Sequence, residues 1–135
     1  MDTRKTARAL ALDLLDRSPC RVQIAAVLVD ANGRIFAWGW NHKADGGAGK
    51  HAEAHAIERA NKRRLRGATI VVAGRRKKNG NILCARPCEA IQPTQHTAHT
   101  SPCMKLLEKH GIEMVEHTTA SGAWATLTVR HERVK

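Results

Sequence analysis

Residues 22–29 (VQIAAVLV) restrict the fold of this chain most, because seven of the eight are apolar. A strand that is apolar on both faces needs a covering layer on each side of its sheet. Residues 30–33 (DANG) favour a turn, and a second strand-like segment follows at 34–40. The two segments are therefore predicted to form a hairpin of neighbouring strands.

Helical and strand periodicity predict the remaining elements. In residues 6–15, apolar side chains recur with the spacing of a helix packed on one face. Further helices are predicted at 51–65 and 103–110, and further strands at 69–73, 112–115 and 124–129. The order α, β, β, α, β, α, β, β implies an α/β fold, a three-layer α-β-α sandwich with a mixed five-stranded sheet. A length of 135 residues predicts a single domain spanning 1–135.

The net charge of this chain is unusual, since 23 Lys and Arg against 12 Asp and Glu give +11. Such an excess favours polyanionic or phosphorylated partners. Residues 74–80 are predicted to form an exposed loop, whose candidate phosphate contacts are Arg75, Arg76, Lys77 and Lys78. No apolar run approaches the roughly 18 residues of a membrane span, and no signal-peptide stretch follows the start. We therefore expect a cytoplasmic protein without a membrane partner.

Side chains able to hold a metal ion fall at the predicted starts of two helices. His51 and Glu53 begin the second helix, while Cys88 precedes the third helix and Cys103 begins it. One neutral imidazole and two thiolates make a three-ligand zinc set that leaves the fourth tetrahedral position open. A glutamate beside such a metal can move a proton between water and a substrate nitrogen. The sequence thus predicts a catalytic Zn²⁺ site.

Other ligand sets remain open. Cys84 could replace one of the two cysteines, and His96 or His99 could supply an imidazole. If the segment between the cysteines displaced Cys103, the chain would bind no zinc. His55 lies one helical turn after the first histidine and is interpreted as a surface or supporting residue, because the H-E-x-x-H pattern needs the glutamate directly after that histidine.

The segment HAE at residues 51–53, followed by PC at 87–88 and a later cysteine, resembles the H-x-E…P-C-x-x-C signature of the zinc-dependent cytidine deaminase superfamily. The resemblance extends over residues 6–117. Position 91 is Ile where the signature requires cysteine, but omitting residues 91–102 leaves PCEACMKLL and restores the spacing. We interpret these twelve residues as a loop insertion. Loop closure is cheap, about 0.6 kcal/mol per doubling of length.

The resemblance implies a cytidine-deaminase-like fold, a zinc ion held by His51, Cys88 and Cys103, and Glu53 as the general acid and base. Asn41, at the end of the predicted second strand, and the Ala52 backbone become implied substrate contacts. The implied reaction is hydrolytic deamination of a nucleobase, with cytosine favoured, in single-stranded nucleic acid or a nucleotide. The alternatives are a salvage deaminase of cytidine or deoxycytidylate, and a catalytically degenerate, zinc-stabilised nucleic-acid-binding module. A homo-oligomer is also implied.

Overall fold

The computed structural model describes residues 3–43, 49–87 and 103–129. Its helices are α1 (Thr3–Leu14), α2 (Ala52–Arg59) and α3 (Cys103–Lys109), with 3-10 turns at Leu15–Arg17 and Lys62–Arg64. Its strands are β1 (Val22–Val29), β2 (Ile35–Trp40), β3 (His42–Lys43), β4 (Gly49–Lys50), β5 (Thr69–Arg76), β6 (Ile82–Leu83), β7 (Met114–Thr118) and β8 (Trp124–Thr128). In these described ranges, no helix combines the length and the apolar character that a membrane crossing requires.

The main sheet has the strand order β2-β1-β5-β7-β8, and β6 pairs with the end of β5. The β5–β7 pair is parallel, whereas β1–β2, β1–β5 and β7–β8 are antiparallel. The predicted hairpin of β1 and β2 is confirmed. Its turn is closed by Asp30, whose Oδ1 accepts the N–H groups of Asn32 at 3.0 Å and Arg34 at 2.9 Å. Gly33 in this turn has a φ of 81°, which glycine adopts without steric cost.

Helices cover both faces of the sheet, as the apolar run in β1 requires. On one face, α1 shares a core with Ala25 and Val27 of β1. On the other face, α2 and α3 share a core with Ala26 and Leu28. Successive residues of a strand point to opposite faces, so the run fills both cores. The mixed sheet with helices on both sides confirms the predicted three-layer α-β-α sandwich, with β6 as a short sixth strand.

Helix α2 is shorter than predicted and ends at Arg59 instead of continuing to residue 65. Ala60 has an extended backbone, with φ −83° and ψ 150°. The Asn61 side chain then accepts the Arg63 N–H at 3.0 Å and begins a 3-10 turn. An asparagine side chain can bond to a nearby backbone group in place of a helical hydrogen bond. The periodicity of apolar side chains does not predict this.

Strand β5 is longer than predicted and includes Gly74, Arg75 and Arg76, which the sequence placed in an exposed loop. These residues pair with the beginning of β1, where Val22 lies opposite Arg76 and Ile24 opposite Gly74. The prediction of a loop over this part was wrong, because pairing with a neighbouring strand outweighs the low strand propensity of glycine.

Gly39 in β2 brings helix α2 directly onto the strand. A Cβ atom at this position would lie 2.5 Å from the Ala56 backbone nitrogen and 2.9 Å from the His55 carbonyl carbon. Only glycine allows so close an approach of two backbones. The contact fixes the first turn of α2 against the end of β2.

Candidate active site

A cavity of about 190 Å³ opens where the first turns of α2 and α3 meet the start of β1 and the end of β2. Its wall also includes the segment that follows β6. The side chains in that wall that can bond polar groups or a metal belong to Asn41, His51, Glu53, Cys84, Arg86 and Cys103. The structure therefore gathers most of the predicted site residues around one space.

His51 and Cys103 face each other in this cavity. His51 precedes α2 as its N-cap and Cys103 is the first residue of α3, and their Nδ1 and Sγ atoms are 2.9 Å apart. Burial lowers the pKa of the His51 imidazole, which favours the neutral form that binds metals. A nitrogen and a sulfur donor brought together in a half-buried cavity suit zinc.

The remaining ligand of the predicted set, Cys88, lies outside the described residues, as do the predicted insertion at 91–102 and the histidines at 96 and 99. Cys84 is exposed and lines the cavity. Among residues 3–43, 49–87 and 103–129, no three His, Cys, Asp or Glu side chains form a metal-binding group. The role of Cys88 as a ligand stays a prediction.

Glu53 lies in the first turn of α2 and is only 5% exposed. Burial raises the pKa of its carboxyl group, and this outweighs the lowering by hydrogen bonds from its own backbone N–H and from Cys103. A carboxyl group with a raised pKa can take up and release a proton closer to neutral pH. Its hydrogen bond with Cys103 places the carboxyl beside the facing His51 and Cys103 side chains.

Asn41 lines the cavity, and its side chain also joins β2 to β1. Its Oδ1 accepts the Ile24 N–H at 2.9 Å and the Ser18 hydroxyl at 2.6 Å, while its Nδ2 donates to the Val22 carbonyl at 2.7 Å. Ala52 is buried at the first position of α2 and lines the same cavity. Both predicted substrate contacts thus lie in the cavity wall, and Asn41 has a structural role that the sequence did not indicate.

His55 lies between α2 and the end of β2, behind the cavity. Its Nδ1 accepts the Trp40 N–H at 3.1 Å, and its ring makes edge contacts with the rings of Trp40 and His42. Burial is the largest cause of the lowered pKa of His55, followed by the neighbouring charges of His42 and Arg59. His55 is therefore a supporting residue, one of the two interpretations that the sequence allowed.

A second cavity, of about 480 Å³, lies on the α1 side of the same end of the sheet. Arg75 in its wall donates from Nε and Nη2 to Gln23 Oε1, at 2.9 and 2.7 Å, and from Nη2 to Asp16 at 2.7 Å. Lys77 and Arg17 also line it, and we call it the basic cavity. No sequence pattern indicated that Gln23, buried within an apolar run, would orient an arginine.

One hydrogen bond joins the wall of the basic cavity to the wall of the cavity lined by His51, Glu53 and Cys103, which we call the His51 cavity. Ser18 lines the former and Asn41 lines the latter, and these two side chains are joined at 2.6 Å. Of the four predicted phosphate contacts, Arg75 and Lys77 line the basic cavity, and Arg76 and Lys78 are exposed on the adjoining strand end and turn. None of the four lines the His51 cavity.

Comparisons with known proteins agree with this fold. The model of the family described as "Cytidine and deoxycytidylate deaminase zinc-binding region" matches residues 1–119. A cytidine deaminase from Burkholderia pseudomallei is similar in structure, with 19% identity and a TM-score of 0.61 over 93% of this chain and 91% of that one. The dCMP deaminase of cyanophage S-TIM5 has 18% identity and a TM-score of 0.55 over 86% and 82%.

Acinetobacter baumannii RibD is also similar, with 21% identity and a TM-score of 0.60 over 87% of this chain. This chain spans only 28% of the length of RibD. No curated protein matches the sequence. At such low identities the structural similarities establish the fold alone.

Proposed function

Because this chain belongs to the cytidine and deoxycytidylate deaminase zinc-binding family, we propose that it is a hydrolytic deaminase that converts cytosine to uracil in a nucleotide or in single-stranded nucleic acid. The observation that carries the proposal is the convergence of His51, Cys103 and buried Glu53 on one cavity. Cys103 lies 52 residues after His51 in the sequence, and its meeting with His51 and Glu53 brings two metal donors together with a proton carrier.

We propose that His51, Cys88 and Cys103 hold the zinc ion of the family. The facing Nδ1 and Sγ atoms of His51 and Cys103 fit this metal, because zinc prefers imidazole and thiolate donors. The zinc, when bound, supplies Lewis acidity that makes water a competent nucleophile near neutral pH.

In this mechanism Glu53 moves the protons. Its carboxylate takes a proton from water and delivers it to the ring nitrogen beside the amino-bearing carbon. The oxygen of that water bonds to the carbon as a hydroxyl group. Glu53 then takes the remaining proton of this hydroxyl and passes it to the amino nitrogen, and the carbon–nitrogen bond breaks to release ammonia and leave a carbonyl group. Burial supports this role, since it raises the pKa of the Glu53 carboxyl group, which can then take up and release a proton closer to neutral pH.

Asn41 and Ala52 would orient the base. Ala52 begins α2, where the first backbone N–H groups have no partner within the helix and can bond to a substrate oxygen. The hydrogen bonds of Asn41 to Ile24 and Val22 fix its amide in the wall, so it offers a fixed polar contact to a base or sugar.

The test is Glu53→Gln, which keeps the size of the side chain and removes its ability to carry a proton. We expect ammonia release from cytidine, deoxycytidylate and a cytosine-containing oligonucleotide to stop while the zinc content stays unchanged. Glu58→Gln, the same change at an exposed residue of α2, serves as the control and should retain activity. A zinc-loaded Glu53→Gln protein that turns over any of these substrates would refute the mechanism. A zinc-loaded wild-type protein that releases no ammonia would instead support a zinc-stabilised binding module.

A further inference from the structure

Two of the three tryptophans of this chain lie on β2, which is an edge strand of the sheet. Trp38 is 37% exposed, a large fraction for an aromatic side chain in a strand. The Arg59 guanidinium lies 5.8 Å from the Trp38 ring centre and 5.6 Å from that of Trp40, and the Arg17 guanidinium lies 5.7 Å from Trp40. We call these four residues the Trp–Arg band.

The Trp–Arg band leads from the candidate active site along the edge of the sheet. Trp40 directly precedes Asn41, which lines the His51 cavity, and Arg17 lines the basic cavity next to it. From Trp40 the band continues through Arg59 to Trp38. The two tryptophans are two strand residues apart, about 7 Å along the strand, which is comparable to the spacing of neighbouring nucleotides in an extended strand.

The two arginines of the band are exposed, and neither forms an ion pair within the described part of the chain. The acidic side chains nearest to them in sequence are engaged elsewhere, since Asp16 pairs with Arg75 and Glu58 pairs with Lys50. The guanidinium groups are thus available for an anionic partner, within a chain whose net charge is +11.

We propose that the Trp–Arg band binds single-stranded nucleic acid, so that a nucleotide next to the target base stacks on Trp38 while Arg17 and Arg59 contact phosphates. Single-strand-binding proteins combine aromatic stacking surfaces with basic side chains in this way. The inference rests on the proposed function for its choice of substrate, since a mononucleotide in the His51 cavity has no second base to place on Trp38. The proposal thus identifies the substrate of this chain as a polynucleotide.

The test measures binding without turnover, by fluorescence anisotropy of a labelled thymidine oligonucleotide of roughly ten nucleotides with one central deoxycytidine, within the size range of single-strand sites. The zinc-loaded chain, with Glu53→Gln in every sample so that the oligonucleotide is not deaminated, is titrated at several salt concentrations between about 50 and 200 mM. The variants are Trp38→Leu, Arg17→Gln and Arg59→Gln. Lys109→Gln, which removes one exposed charge at the end of α3, is the matched control.

We expect Trp38→Leu to weaken binding roughly 5- to 150-fold, the fold-change equivalent to the loss of one stacked base. Each arginine variant should reduce the slope of log affinity against log salt by about 0.7, the value for one phosphate contact to a single strand. Lys109→Gln should behave as wild type. Equal effects of all four variants, or affinity for the oligonucleotide no greater than for deoxycytidylate, would overturn the proposal.

Failure of this proposal can be told apart from failure of the proposed function. Turnover of deoxycytidylate without oligonucleotide binding would support the deaminase activity and contradict the polynucleotide substrate. Oligonucleotide binding that depends on the Trp–Arg band, without turnover of any substrate, would support the Trp–Arg band as a binding site and contradict the deaminase activity. Self-association that buries Trp38, detected by light scattering and reversed by Trp38→Leu, would assign the edge to a second copy of the chain and also overturn the proposal.

Discussion

Replacing Gly39 by alanine tests whether the close approach of α2 to β2 positions the site. The added Cβ would lie 2.5 Å from the Ala56 backbone nitrogen, 0.9 Å short of the 3.4 Å at which ordinary contact begins. Backbone atoms cannot rotate away as a side-chain tip can, so α2 must move outward by about this distance. The first turn of α2 moves with it, and that turn holds Glu53.

Gly39→Ala is expected to lower both the stability of the folded protein and the rate of the reaction. Forcing an extra methyl group into close packing destabilises proteins by about 1–3 kcal/mol. We expect Gly39→Ala to fall at the upper end, because the three close contacts are with two backbone atoms and with the His55 Cβ, which is attached directly to the backbone. Displacement of a reacting group by about 1 Å can lower the rate by about 100-fold. We therefore expect a comparable loss of kcat/KM in the folded protein.

The measurement is urea unfolding at a fixed, saturating zinc concentration, together with kcat/KM for cytosine deamination. Gly49→Ala is the matched control, because no described atom lies within 4 Å of its added Cβ and its φ is not in the left-handed region. It should change the unfolding free energy by less than about 0.5 kcal/mol. A Gly39→Ala protein as stable and as active as Gly49→Ala would refute the argument that this contact sets the position of α2.

Two further predictions concern the metal and the turn of the β1–β2 hairpin. Cys103→Ser should lose most of its zinc, as measured by elemental mass spectrometry, whereas Cys84→Ser should retain it; the opposite result would make Cys84 the ligand. For Asp30, hydrogen bonds from the Arg34 backbone N–H and the Arg64 guanidinium lower its pKa below the usual 3.8. A lowered carboxyl pKa stabilises the folded state above the unfolded-state pKa, and this contribution is lost as the pH falls through the folded-state pKa. Asp30→Asn should therefore be less stable than wild type at neutral pH and equally stable in strong acid, as measured by thermal unfolding across pH; a difference independent of pH would contradict this reasoning.

The sequence predicted the fold well where burial leaves a clear pattern. The run at 22–29 became β1, and the turn before Arg34 closed the hairpin as expected. The meeting of His51 with Cys103 was also predicted, because the spacing of the two segments resembles a known signature. What the sequence missed depends on single contacts between distant residues. The Gln23–Arg75 pair and the cavity beside it arise from strand register, which periodicity does not specify.

The two tryptophans of β2 illustrate the same limit. Alternation along a strand predicts burial for some of the few aromatic residues, yet Trp38 is exposed at the edge of the sheet, where β2 pairs only with β1 among the described strands. The position of a strand within a sheet depends on the pairing of all the others. Edge exposure, and hence the Trp–Arg band, could be recognised only from the assembled sheet.

Within residues 3–43, 49–87 and 103–129, β5 and β7 form the one parallel pair of the sheet, which has a consequence for how the protein folds. The β1–β2 and β7–β8 hairpins join neighbouring segments and can form early and locally. Thr69 can pair with Met114 only after the long connection through α3 has brought β5 and β7 together. Such non-local contacts form slowly, because the chain loses conformational entropy before the contacts stabilise it. Since His51 precedes β5 and Cys103 lies within this connection, the two donors meet only when the connection has folded back onto the sheet. Folding and the capacity to bind metal are thus acquired in the same late step.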